Sequence, residues 1–288
     1  MGISTELGRT HEVDLPCGRI RYHDTGEGPP VVFVHGLLVN ADLWRKVVPG
    51  IAAAGYRCLT PDWPLGAHQI PVPDANLTLP GLADLIASFL ERLELTDVTV
   101  VANDTGGALT QVLMTRHPAR IGRVVLAAVD SYEALMPPPF NVFTWLARIP
   151  GSMRLVTEVA RIRALHSTPL VFGLVAKKPV PPEIADSYLA GSRASGAVRK
   201  NLRLFLKNAK SRHTLEAATH FGEVQFPVLV VWASEDKIFP MSYAERLIKD
   251  LPHATLKVID DSYTFISEDQ PELLTESILE FTRLHATP

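Results

Sequence analysis

Cysteine is scarce in this chain: 288 residues carry two, Cys17 and Cys58. They are far apart and form no C-x-x-C pair, which excludes a disulfide framework and a thiolate zinc site, so no metal or cofactor is expected. Long apolar runs are also missing. No stretch approaches the roughly 20 residues that cross a bilayer, and Met1 to Asp14 has no apolar h-region of a signal peptide. There is no Lys/Arg block, and the formal net charge of −3 leaves no basic surplus for phosphates. Nucleic acid and membrane are therefore not expected partners. The expected location is the cytoplasm, as monomer or homodimer. Internal repeats and low-complexity tracts are absent too.

What is present is core material. Hydrophobic residues make up 47% of the chain and charged residues 20%, the balance of a globular protein with a large buried interior. Short β-branched runs alternate with longer amphipathic stretches, the pattern of a mostly parallel sheet flanked by helices. His11 to Leu15 and Arg19 to His23 flank Pro16-Cys17-Gly18 as an opening hairpin. Val31 to Val34 is a continuous apolar run, as a strand buried on both faces requires. Asn40 to Ala54 reads as a helix, Arg57 to Thr60 as a strand and Leu79 to Leu93 as a helix. Val98 to Ala102, Val124 to Val129, Val228 to Trp232 and Thr255 to Ile259 read as further strands. Thr105 to Arg116, Ser242 to Asp250 and Pro271 to Leu284 read as helices.

After Val129 the composition changes at Pro137-Pro138-Pro139, and helical segments bearing Arg and Lys continue to Phe221. The expected division is a sheet core of residues 1–135 and 223–288 with a helical cap of residues 136–222. Phe140, Phe143, Trp145 and Phe172 suggest a greasy cap interior and an apolar small-molecule substrate.

Val100-Val101-Ala102-Asn103-Asp104-Thr105-Gly106-Gly107 reads as a strand entering a sharp, glycine-backed turn that opens a helix, with Asp104 at the apex. A carboxylate there sits at a helix N-terminus, whose dipole favours an anion. Ionised Asp is already a nucleophile and needs no base to activate it. The bland alternative is an Asp that caps its helix.

The elbow resembles that of the α/β-hydrolase superfamily, in which G-x-S-x-G exposes a nucleophile above the sheet. With His35-Gly36, Trp232-Ala233-Ser234-Glu235-Asp236 and Glu268-Asp269-Gln270-Pro271, the resemblance covers nearly the whole chain. The apical Asp is similar to the haloalkane dehalogenase and epoxide hydrolase branch. That resemblance implies an oxyanion hole from the backbone N–H groups of Leu37 and Thr105, and Asp236 as the acid that orients a histidine. Asp130 is another position from which some relatives supply this acid, the alternative being a turn residue before the cap. Dehalogenases of the branch usually place tryptophan after the nucleophile, where this chain has Thr105, so epoxides or esters fit better than haloalkanes.

The histidine itself is missing: Tyr263-Thr264-Phe265 puts Thr264 where it should stand. A threonine hydroxyl is no general base near neutral pH. His253 and His285 follow Asp236 but lie before the last strand and in the C-terminal tail. His68, in the loop after the second buried strand, is the candidate replacement as a water activator, the bland alternative being a loop histidine hydrogen-bonded to backbone. Tyr132, Tyr188, Tyr243 and Tyr263 are open candidates to polarise a substrate oxygen. The leading expectation is a hydrolase acting on a small hydrophobic substrate through Asp104. The alternatives are a cofactor-free lyase, isomerase or cyclase with Asp104 as base, and a binding protein on a hydrolase scaffold.

Overall fold

The computed structural model describes residues 4–286. Among these, eight strands form one sheet: β1 (Arg9–Leu15), β2 (Gly18–Thr25), β3 (Pro30–Val34), β4 (Arg57–Pro61), β5 (Val98–Asp104), β6 (Ile121–Val129), β7 (Val228–Ala233) and β8 (Ala254–Ile259). Their order is β1-β2-β4-β3-β5-β6-β7-β8. The hairpin β1–β2 and the β2–β4 pairing are antiparallel, and every later pairing is parallel. The central strands β3, β5, β6 and β7 are buried almost throughout, which explains their unbroken Val-rich sequences. No helix among the described residues is long and apolar enough to cross a membrane.

One expected helix is divided. Asn40 to Ala54 forms a 3-10 turn over Ala41–Trp44 and a separate helix over Val48–Ala53, with Pro49 in the first turn of the latter. Proline lacks the N–H that a continuous helix would need there, and it fits a helix start instead.

Between β6 and β7 the chain makes helices Asn141–Leu146, Ser152–Ala160, Pro182–Ala194, Gly196–Asn208 and Arg212–Ala218. The last of these packs on the core helix Thr105–Arg116. Trp145, expected inside, is 59% exposed, whereas Phe140, Phe143 and Phe172 face a cavity. Asp269 fastens this segment to the core by accepting from the backbone N–H groups of Lys177 (2.9 Å), Lys178 (2.8 Å) and Tyr263 (2.9 Å).

The turn from β5 into its helix is built by close approach. A Cβ on Gly106 would run into the carbonyls of Val34 and His35, and one on Gly107 would overlap Val129. Gly107→Ala is therefore expected to destabilise the fold by about 1–3 kcal/mol through overpacking. Chemical denaturation checks this, and an unshifted midpoint would contradict the packing described.

Candidate active site

Asp104 ends β5 with φ 53° and ψ −132°, a backbone region that L-residues rarely enter. Its side chain makes no capping bond to its own helix. Instead Oδ2 accepts from the Leu37 backbone N–H at 3.0 Å. Burial pushes the carboxyl up from 3.8 to about 6, opposed by the N–H groups of Thr105 and Leu37 and reinforced by the charge of Asp236. Both N–H groups named from sequence thus act on the Asp104 carboxyl, Leu37 through a direct hydrogen bond. If Oδ1 attacks a carbon, Oδ2 becomes the ester carbonyl oxygen already seated in that hole.

A cavity of about 410 Å³ opens on Asp104, within the usual range for small-molecule sites. Its walls are apolar, among them Leu38, Met136, Phe140, Phe143, Phe172 and Phe265. Asp104, Thr105, Asp130 and Tyr188 bring the polar atoms. No Lys, Arg or His lines it among the described residues.

Asp236 and Thr264 meet as the sequence motif implies: Thr264 Oγ1 donates to Asp236 Oδ1 at 3.0 Å. The same oxygen accepts from the N–H groups of Ile238 (2.7 Å) and Phe239 (2.8 Å). Burial raises the Asp236 carboxyl, opposed by Phe239, Ile238 and Thr264. Asp236 Oδ2 is buried without a hydrogen-bond partner. Threonine is too short to span from this acid into the cavity, and Thr264 does not line it.

His68 matches the bland alternative rather than the water activator. Its Nδ1 accepts from the Gly66 N–H at 3.3 Å, and Nε2 pairs with Asn201 Oδ1 at 3.2 Å. Burial lowers it to about 4, opposed by the Asn201 bond, so it is a neutral tie between a loop and the helix Gly196–Asn208. It does not line the cavity. His35 is similarly committed, with Nε2 accepting from the Trp63 N–H at 2.8 Å. Three of the candidate tyrosines are engaged elsewhere. Tyr132 donates to Asp250 (2.9 Å), Tyr243 donates to Glu133 (3.3 Å), and Tyr263 lies under the Lys237 ammonium. Tyr188 lines the cavity, and its hydroxyl is buried without a hydrogen-bond partner and held well above the usual range by burial and then by the charge of Glu268.

Asp130 emerges as more than a turn residue. Its Oδ2 accepts from Thr105 Oγ1 at 2.8 Å and its Oδ1 from the Met136 N–H at 3.0 Å. Burial, then the charge of Asp104, raise it well above the ordinary 3.8. The signal available in sequence was its place at the carboxyl edge of a parallel strand, where ligands bind in such sheets.

A family described as alpha/beta hydrolase fold matches residues 29–271. The chain belongs to the α/β-hydrolase fold family. Among its relatives, a 2-hydroxy-6-oxononadienedioate/2-hydroxy-6-oxononatrienedioate hydrolase of Cupriavidus pinatubonensis is 26% identical, with 96% of each chain covered. A haloalkane dehalogenase of Mycolicibacterium paratuberculosis is 28% identical over 91% of this chain and 87% of its own. The solved structure of epoxide hydrolase CorEH superposes with TM-score 0.79 at 17% identity, covering 96% of this chain and 99% of that one. In this α/β-hydrolase the mostly parallel sheet flanked by helices follows the expected plan.

The raised Asp104 carboxyl has a consequence for stability. Its folded value, about 6, lies above the ordinary 3.8, so ionisation at neutral pH opposes folding. Asp104→Asn is expected to stabilise the fold by about 1–3 kcal/mol above pH 6. The gain should shrink as pH falls and vanish below about pH 4, where the acid is protonated folded or unfolded. Thermal melts of both proteins across pH check this; a loss of stability at pH 7 would contradict it.

Proposed function

We propose that this α/β-hydrolase acts on a small hydrophobic electrophile, with Asp104 as nucleophile and residues 136–222 as the cap over the site. The observation that carries the reading is the Leu37 N–H on Asp104 Oδ2 at the floor of an apolar cavity. It leaves Oδ1 as the free attacking atom and holds Oδ2 where negative charge develops when water later attacks the ester carbonyl. The elbow's backbone strain is consistent with a function-bearing turn rather than a plain helix cap.

Epoxides and esters suit the site better than haloalkanes. A departing halide needs N–H donors, and neither tryptophan nor asparagine lines the cavity among the described residues. Release of the aspartyl ester is the slow step, because Thr264 holds the place from which a histidine would activate water.

One observation favours a second reading. A carboxyl near pH 6 beside no histidine is also suited to abstract a proton, as in a cofactor-free lyase, isomerase or cyclase. That chemistry leaves no covalent trace.

Intact-protein mass spectrometry with panels of epoxides, esters and haloalkanes separates the two. A covalent adduct on the Asp104 peptide is expected in the wild type. Asp104→Asn should show neither adduct nor turnover, a loss of about 10⁴-fold or more. Thr264→His should speed release about tenfold or more. Unchanged activity in Asp104→Asn would sink the nucleophile assignment, and turnover without any adduct would favour the base.

A further inference from the structure

The pairing of the cavity's two acids addresses the proton transfers that a missing histidine leaves open. Asp104, at the end of β5, and Asp130, just after β6, both line the cavity, as does Thr105, which follows Asp104 in the chain and donates its hydroxyl to Asp130 Oδ2. The other titratable groups facing this region are Asp236, in the loop after β7, and Tyr188, on the helix Pro182–Ala194; no cation lines the cavity among the described residues.

Two ionised carboxylates in an apolar space without a cation repel, so one of them keeps its proton. Asp104 is the anion, because its carboxyl accepts from the Leu37 N–H and also feels the Thr105 N–H, whereas one backbone N–H, that of Met136, reaches Asp130. Asp130 is the acid, and its upward shift agrees. A hydroxyl both donates and accepts, so protonated Asp130 can donate to Thr105 Oγ1 while Thr105 donates into the cavity.

We propose that Asp130 is a second catalytic carboxyl, which protonates an oxygen leaving group through the Thr105 hydroxyl and then serves as the base that frees Asp104, making an epoxide the matching substrate. The proposal rests on Asp104 being the nucleophile.

The steps balance. Asp104 Oδ1 bonds to an epoxide carbon, and the pair of the broken C–O bond stays on the ring oxygen. That oxygen takes the Thr105 hydroxyl proton, which Asp130 replaces. The result is a neutral aspartyl ester, a free alcohol and an Asp130 carboxylate, which no longer faces an anion. Asp130 then draws a proton from water through Thr105 as the water oxygen bonds to the ester carbonyl carbon. Negative charge collects on Oδ2 against the Leu37 and Thr105 N–H groups. Collapse breaks the bond between the carbonyl carbon and Oδ1. The departing oxygen takes the proton of the new Asp104 carboxyl group, which restores ionised Asp104 and protonated Asp130 and completes a diol. One carboxyl serves as acid and then base, as in retaining glycoside hydrolysis.

The test compares an epoxide with an allylic bromide of similar shape, because bromide departs without a proton. Adduct formation on the Asp104 peptide and its loss are followed by rapid quench and mass spectrometry in wild type, Asp130→Asn and Thr105→Val. Asp130→Asn preserves shape, and Thr105→Val leaves Asp130 itself in place should the first variant fold poorly. In both variants, epoxide attack is expected to slow by about 10²–10⁴-fold and bromide attack to stay within a few-fold of wild type. Release of either adduct should also slow. Equal slowing of both substrates would reduce Asp130 to a structural tie, and unchanged epoxide attack would remove it from the proton path; either overturns this proposal while Asp104 stands. No adduct with either substrate in the wild type overturns the nucleophile reading and this proposal together.

Discussion

The backbone of Asp104 is the constraint on which the site depends. A positive φ at a non-glycine residue costs about 1–3 kcal/mol and persists only where the surroundings over-determine it. Here β5 is held on both sides by β3 and β6, and the next residues press Gly106 against the Val34 and His35 carbonyls. Asn103 adds a tie by donating to the carbonyls of Ala127 (2.6 Å) and Thr264 (2.8 Å). Held in this way, the side chain cannot fold back to cap its helix. It points at the loop after β3, where Gly36 leaves room for it because a Cβ there would overlap the carboxyl. The hydrogen bond from the Leu37 N–H to Oδ2 follows.

The electrostatics follow from burial without cations. Asp104, Asp130 and Asp236 are three acids near one apolar cavity, and desolvation raises each of them. Cations do occur nearby, but they are spent elsewhere. Arg45 and Lys46, just after the turn Ala41–Trp44, pair with the buried Glu268 in the segment after Thr264. This division keeps the reaction site uncharged except for its acids, a setting in which backbone N–H groups and shared protons count for more than they would in water. It also explains how the site can be organised around a motif from which histidine is gone. Asp236 still has its hydroxyl partner and two N–H donors, so the scaffold around Thr264 is intact although its side chain stops short of the cavity.

Much of this fold was legible in sequence because parallel strands buried on both faces write themselves as unbroken runs such as Val31 to Val34 and Val98 to Ala102. The elbow was legible because its glycines and apical Asp follow such a run. Legibility failed where the deciding contact is remote. The tie of His68 to Asn201 comes from a distant helix, and Asp130 read as a turn residue until Thr105 and Met136 supplied its partners. Trp145 reads as core by type, yet nothing in the segment's periodicity told which face of its short helix turns outward. Local failures had local causes, as where Pro49 restarted a helix that periodicity alone would continue.

The central claim is that Asp104 becomes esterified and is freed by water attacking its own carbonyl carbon. A single turnover with excess enzyme in heavy-oxygen water tests it most directly. The account predicts that the label enters the Asp104 carboxyl group, detected in the elbow peptide, while the product of that first turnover stays unlabelled. Label in the first-turnover product with none in Asp104 would mean that water attacks the substrate directly, and would contradict the account.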